Sequence, residues 1–241
     1  MLPSALRRNA RLTAAAAVMA AAFGLQIDAS SGLSVASAYA QETVRAEVGK
    51  PLQAARDLIK ARKYNDALAK LREAEAVPKR TAYENFLIDQ MRASAAIAAG
   101  NNDEAIKSLQ ALISSGRLSD ADQGRYAATL AGLYYRGRDY KNAANWAQRA
   151  LKSNPGDSAS RTLLIQSYFL AGDLAAANRE ALADVQAAER AGQKPPEDML
   201  QLLANIAGRN EADRAGYIAA LERLVAYYPK REYWADLLRR I

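Results

Sequence analysis

The sequence predicts an all-α protein built as a solenoid of antiparallel helix hairpins. Three observations carry this. Apolar residues recur at helical spacing along most of the chain, as in Ala127, Leu130, Ala131 and Tyr134, the mark of an amphipathic helix. Turn-forming clusters break these stripes at short intervals, as in Arg136-Gly137-Arg138-Asp139 and Asn154-Pro155-Gly156-Asp157. One shared offset then links two successive hairpins. Tyr134 to Tyr168, Tyr140 to Leu174 and Ala143 to Ala177 are each 34 residues, so the hairpin is a repeated unit. A hairpin of this size cannot bury its apolar faces alone, and stacked neighbours complete the core.

The N-terminal 1–40 reads as a targeting segment. Arg7, Arg8 and Arg11 form a basic region, and Leu12 to Gly24 is an apolar, Ala-rich run. Ala38-Tyr39-Ala40 is a small-x-small cleavage site, which puts the junction between Ala40 and Gln41. The competing reading is a membrane anchor, but the run is shorter than the ~20 residues of a spanning helix. Arg7-Arg8 also suggests a twin-arginine signal. Asn9-Ala10-Arg11 offers no hydrophobic residue after the pair, which favours general secretion. The expected product is one helical repeat domain, 41–241, located in the periplasm.

From Gln41 to Val48 the chain is polar and expected to be loosely held. Helical sequence is expected to start near Pro51, which a first helical turn tolerates. Leu52, Ala55, Leu58 and Ile59 form a stripe, Ala61-Arg62-Lys63 a turn, and Tyr64, Ala67, Leu68, Leu71 and Ala74 a second stripe. The next hairpin runs from Thr81 to Gly116. Phe86, Ile88, Met91, Ala95 and Ile97 lie on its first helix, and Ala105, Ile106, Leu109, Leu112 and Ile113 on its second. Asp103 is the expected cap of that second helix. Ser119, followed by Asp120 and Asp122, suits the start of the third hairpin.

That third hairpin joins the stripe ending at Tyr134 to Tyr140, Ala143, Ala147, Ala150 and Leu151. Gly137 is the expected positive-φ residue between the helices. Small residues at Ala143 and Ala150 let two helices approach closely. In the fourth hairpin the second helix is long, running to about Ala191 before Gly192-Gln193-Lys194-Pro195-Pro196. A fifth follows, with Met199, Leu202, Leu203 and Ile206 on its first helix and Tyr217, Ala220, Leu221 and Leu224 on its second. Tyr217 and Ala220 repeat the spacing of Tyr140 and Ala143. Tyr233, Trp234, Leu237, Leu238 and Ile241 form a short amphipathic end. It reads as a C-terminal cap, with a partner-binding hook as the rival reading.

This pattern resembles the tetratricopeptide repeat (TPR) family. Leu130, Ala131, Tyr134, Tyr140, Ala143, Ala150 and Pro155 match its signature, while Ala127 stands where an early Trp is usual. Leu164, Tyr168, Gly172 and Ala177 match in the next repeat. There Ile165 replaces a small residue and Asp184 the second Ala, so that repeat is expected to be distorted toward its end. Tyr64, Ala67, Ala74 and Pro78 form a third match, and Ala105 occupies the same small-residue position. The resemblance implies a right-handed superhelix of about five hairpins and a capping helix. The ending Tyr227 to Leu238 also resembles exported repeat proteins associated with TonB-type energy transduction.

Composition narrows the chemistry. The chain has neither His nor Cys, which removes the commonest general base and metal ligand, every disulfide and every thiolate site. No phosphate-binding Gly loop, EF-hand or nucleophile elbow occurs. The expectation is a non-enzymatic protein without cofactor or metal. The formal charge is +7. Removing 1–40, with Arg7, Arg8, Arg11 and Asp28, leaves 30 basic and 25 acidic residues, or +5. A solvated helical surface accounts for that without nucleic acid.

What remains is a surface. The family resemblance implies a concave groove lined by the first helix of each hairpin. The groove positions include Arg125, Ala128, Gly132, Tyr135, Arg136, Thr162, Gln166, Phe169 and Leu170. Earlier repeats add Leu52, Arg56, Ile59, Lys60, Gln90, Ser94 and Ile97. Tyr135 and Phe169 beside Arg125, Arg136 and Gln166 form the candidate partner-binding patch, since aromatics and Arg dominate interface energy. Inter-helix packing of Tyr135 and Phe169 is the competing role. The Lys and Asn pair by which some family members clamp a C-terminal carboxylate is absent at the matched positions, which disfavours a chaperone-tail binder. The expected partner is a protein of the cell envelope, with a cell-wall glycan or another envelope polymer as the alternative.

Overall fold

The computed structural model describes residues 43–210 and 212–241. The targeting segment and the Ala40–Gln41 junction lie outside the described residues. Among them are eleven helices and no strand. They pair in sequence: α1 (Ala46–Lys60) with α2 (Tyr64–Glu75), α3 (Ala82–Ala99) with α4 (Asn102–Ser114), and α5 (Asp120–Arg136) with α6 (Tyr140–Ser153). α7 (Ser158–Ala171) pairs with α8 (Leu174–Arg190), and α9 (Glu197–Arg209) with α10 (Arg214–Tyr227). α11 (Arg231–Leu238) covers the end of the stack against α10. Each second helix also packs on the first helix of the next hairpin, and three buried clusters follow one another along the stack, joined through half-buried Trp146 and Tyr168.

The first four hairpins share one turn. Arg62, Gly100, Arg138 and Gly172 all have positive φ, at 58°, 73°, 63° and 83°, and each stands two residues before its second helix. The following N–H donates back to a carbonyl five residues earlier, as from Asp139 to Tyr134 and from Asp173 to Tyr168. This is the Schellman closure of a helix C-terminus. It corrects the expectation at Gly137, whose φ is −74°; Arg138 takes the left-handed conformation instead. In the second, third and fourth hairpins the second helix is capped by the residue just after the left-handed one. Asn101, Asp139 and Asp173 each accept a backbone N–H of the first turn. The cap of α4 is therefore Asn101, not Asp103, because the turn closes two residues earlier than expected.

The repeat signature is visible in the packing. Ala67, Ala74, Ala105, Ala131, Ala143, Ala177 and Ala220 are fully buried and Ala150 nearly so. Leu130 is fully buried among them, while Tyr64, Tyr134, Tyr140, Tyr168 and Tyr217 are half-buried. Two of these tyrosines tie one hairpin to the next. Gln110 on α4 donates to the Tyr134 hydroxyl at 2.9 Å, and Gln148, at the equivalent place on α6, donates to Tyr168 at 2.6 Å. Pro155 and Gly172 sit in the exposed turns that end α6 and α7. At the fourth hairpin Asp184 pairs with Arg161 at 3.3 Å, an ion pair in place of the small-residue contact. Burial raises its carboxyl pKa against the opposing pull of Arg161.

The first hairpin begins earlier than expected. α1 starts at Ala46, with Val48 fully buried and Pro51 inside the helix. What fixes this start is Arg45. Its backbone N–H, its Nε and its Nη2 reach the carboxylate of Glu84, the last at 2.8 Å. Glu84 has no exposure and also closes the capping box with Thr81 at the start of α3. The Arg45 guanidinium and these backbone N–H groups hold the Glu84 carboxyl down at about 2. A second buried ion, Arg92, lies between the first two hairpins with Glu75 at 2.7 Å and Asp89 at 3.3 Å. A buried cation with such partners is costly to break by removing one of them.

Candidate functional site

The positive-φ residues provide a common register for the first helices. Three residues before each stands an apolar side chain: Ile59, Ile97, Tyr135 and Phe169. These equivalent positions define a ladder in the register of α1, α3, α5 and α7, in which α1 packs on α3 and α5 on α7. None of the four is fully buried, although Ile59 and Phe169 pack against the core. Ile97 is 42% exposed and the others are half-buried. Leu170, next to Phe169, is also 42% exposed.

On α5 and α7 the ladder becomes a built patch. The Tyr135 hydroxyl donates to Gln166 Oε1 at 3.2 Å, bridging the two first helices. The Tyr135 ring meets Tyr140 edge-on, with centroids 5.5 Å apart. Burial pushes the Tyr135 phenol up, so it remains a neutral donor at physiological pH. The Arg209 guanidinium, from the end of α9, lies 4.9 Å from the Phe169 ring centroid, within cation–π range. Tyr135, Gln166, Phe169 and Arg209 thus join three successive first helices. Arg136 is exposed beside Tyr135.

Arg125 is not part of this patch. It lies ten residues before Tyr135 on α5, about 15 Å along the axis at 1.5 Å per residue. There it pairs with Asp122 at 2.7 Å and lies over the Tyr126 ring. Sequence reasoning missed Arg209. The fifth hairpin is out of phase with the 34-residue period, so no spacing marks Arg209 as a neighbour of Phe169.

At the C-terminal end α11 has two faces. Tyr233 and Leu237 are buried, while Trp234 is 46% and Leu238 64% exposed. Tyr233 donates to Glu197, which also takes Lys230 Nζ at 2.6 Å. The helix therefore caps α9 and α10 with one face and leaves the other uncovered. Among the described residues no group of three or more His, Cys, Asp or Glu side chains is placed to hold a metal ion. No described helix is long and apolar enough to cross a membrane.

The architecture is that of the tetratricopeptide repeat solenoid. No protein-family model matches the chain, and neither does any curated protein. Solved structures do. YrrB, described as a TPR protein with an unusual peptide-binding site, matches at TM-score 0.52 and 16% identity, over 78% of this chain and 90% of that one. MamA from Desulfovibrio magneticus RS-1 matches at TM-score 0.50 and 13% identity, over 82% of this chain and 98% of its own. At such identities the likeness shows the fold alone, and function has to be argued from the site.

Proposed function

We propose that the protein is a non-enzymatic scaffold of the bacterial cell envelope, exported by its N-terminal segment, that binds a protein partner on the inner face of its first helices. The observation that carries this is the placement of Tyr135 and Phe169. They occupy equivalent ladder positions on adjacent helices, each half-buried rather than enclosed, and are held by Gln166 and Arg209. Fixed, half-exposed aromatics beside Arg are the side chains that dominate protein interfaces. The peptide-binding site ascribed to YrrB is consistent with such a use of the fold. The export reading rests on the basic, apolar and Ala-Tyr-Ala sequence of 1–40, and an accessory role in TonB-type transport on the resemblance of Tyr227 to Leu238.

Affinity capture from a bacterial envelope extract tests the reading. Wild-type protein should retain a protein partner. The double change Tyr135→Ala with Arg136→Ala should release it, because hot-spot truncations cost about 2 kcal/mol or more, roughly thirtyfold in affinity. Circular dichroism must show the helices intact. Capture of glycan, or of the same protein by a folded double variant, counts against the proposal. N-terminal sequencing of the exported form should begin at Gln41, and an intact Met1 in the membrane fraction contradicts export with cleavage.

A further inference from the structure

The charges around the ladder are one-sided. In the register set by the left-handed turn residues, the ladder position has neighbours one residue after it and three, seven and ten before it. Of these, the one seven before is buried in the core on α1, where Leu52 was expected to line the groove. On α1 these include Lys60 and Arg56, and on α5 Arg136 and Arg125. None of these positions on α1, α3, α5 or α7 holds Asp or Glu, although the chain carries 26 acidic residues. Some carboxylates close to the turn ends are already engaged. Asp139 and Asp173 accept backbone N–H groups at the starts of α6 and α8. Asp122, beside Arg125, pairs with it. Asp57, at the rim of α1, accepts from Gln53.

Several of the cations have no ion pair. Arg56, Lys60, Arg136 and Arg209 are exposed and make none among the described residues, and Arg209 lies over the Phe169 ring. Helical surfaces normally mix both signs, and an unpaired cation is strongly solvated. A run of unpaired cations alternating with exposed Ile97, Leu170 and half-buried Tyr135 and Phe169 presents a partner with positive potential and apolar contact together. Complementary potential steers association and sets specificity, while the apolar anchors supply affinity.

We infer that the partner segment bound on this inner face is an acidic stretch of polypeptide carrying apolar side chains, which seat on the Ile59–Ile97–Tyr135–Phe169 ladder while its carboxylates meet Arg56, Lys60, Arg136 and Arg209. This rests on the reading that the inner face binds a polypeptide. A bare polyanion satisfies the cations but not the ladder. A neutral apolar segment satisfies the ladder and leaves the cations unmatched.

Selection of random dodecapeptides displayed on phage against the immobilised full chain tests this. The expected winners are net acidic with at least two large apolar residues. As labelled synthetic peptides they should bind roughly tenfold more weakly at 300 mM than at 50 mM salt. Arg136→Glu with Arg209→Glu should weaken them by roughly a hundredfold, while Lys141→Glu with Lys152→Glu on α6 should leave them unchanged. If the glutamate pair perturbs helicity, Arg136→Gln with Arg209→Gln gives the same comparison without added repulsion. Neutral or basic winners that the inner-face variants still abolish overturn the inference and spare inner-face binding. Labelled polyglutamate binding as tightly as the winners overturns the apolar part. Winners indifferent to the inner-face variants, or no enrichment, overturn both.

Discussion

In the hairpin of α5 and α6, Asp139 caps the second helix, and the fourth residue after it, Ala143, is fully buried. In the hairpin of α9 and α10, Asp213 caps the second helix, and the fourth residue after it is Tyr217. At the first position the residue is small, and Ala131 on α5 is also fully buried. At the second it is large against smallest, for a Cβ on Gly208 would stand 3.2 Å from the Tyr217 ring. Both hairpins carry the Tyr-x-x-Ala spacing, yet Tyr140 opens α6 while Tyr217 lies a turn inside α10. The cap, through its bond to the first-turn N–H, sets which residue meets the partner helix. The spacing still buries its small residue in both helices, Ala143 in α6 and Ala220 in α10.

The largest effect should come from Ala143→Arg. Overpacking a closed contact costs about 1–3 kcal/mol, and an unpaired buried charge adds to it. Thermal melting by circular dichroism should show a large drop or loss of the middle hairpins, and an unchanged melting temperature would mean that Ala143 does not face α5.

Next comes a matched pair of glycine changes. Gly124 on α5 is buried, and an added Cβ would stand 2.6 Å from Ser153 Cβ, an atom fixed close to its backbone. Gly124→Ala should destabilise by about 1–2 kcal/mol despite the gain of about 1 kcal/mol in helix propensity. Ser153→Gly in the same chain should relieve the clash. Gly208→Ala meets only the Tyr217 ring, which can shift, and should stay within about 1 kcal/mol of wild type. Equal denaturation midpoints for the two variants would erase the distinction between the hairpins.

The contribution of Glu84 depends on pH. Its folded carboxyl lies near 2, below its ordinary value of 4.5, so ionisation favours the fold. That stability is fully present above the ordinary value and is lost as pH falls toward 2. Melting temperature should fall between pH 6 and pH 3 in the wild type, and Glu84→Gln should lower it at pH 6 while flattening that dependence. An acid profile identical in the two proteins would place the sensitive carboxylate elsewhere.

Arg138→Gly should give the smallest change, and it should be favourable. A side chain at φ 63° is strained by about 1 kcal/mol relative to Gly, partly offset by the greater freedom of Gly when unfolded. A rise of a degree or two in melting temperature is expected, with Gly172→Ala moving the other way.

The stack itself was legible because its signals are local. Apolar stripes at Leu130 to Tyr134 and Ala143 to Ala150, and breaks at Pro155 and Pro195-Pro196, act within one helix or turn. The errors fell where a local preference met a longer-range contact. Gly137 is the residue most permissive of positive φ, yet the Schellman closure needs that conformation one residue later, where Arg138 stands. Pro51 suggested a helix start, but Arg45 anchored to Glu84, 39 residues away, begins α1 at Ala46. In the candidate site, Tyr135, Gln166 and Phe169 followed from the register of adjacent repeats. Arg209 did not, because its approach to Phe169 depends on how a hairpin of different phase stacks. Arg125 shared that register yet lies at the far end of its helix.

The most direct test of the central claim is a hydrogen-exchange footprint of the captured partner on the intact chain. Binding on the inner face should slow exchange in the C-terminal halves of the first helices, at 128–136 on α5 and 162–170 on α7. Exchange in α6 and across Arg231–Leu238 of α11 should be unchanged. Protection confined to α11, around the exposed Trp234 and Leu238, would contradict the account and make the capping helix the binding surface.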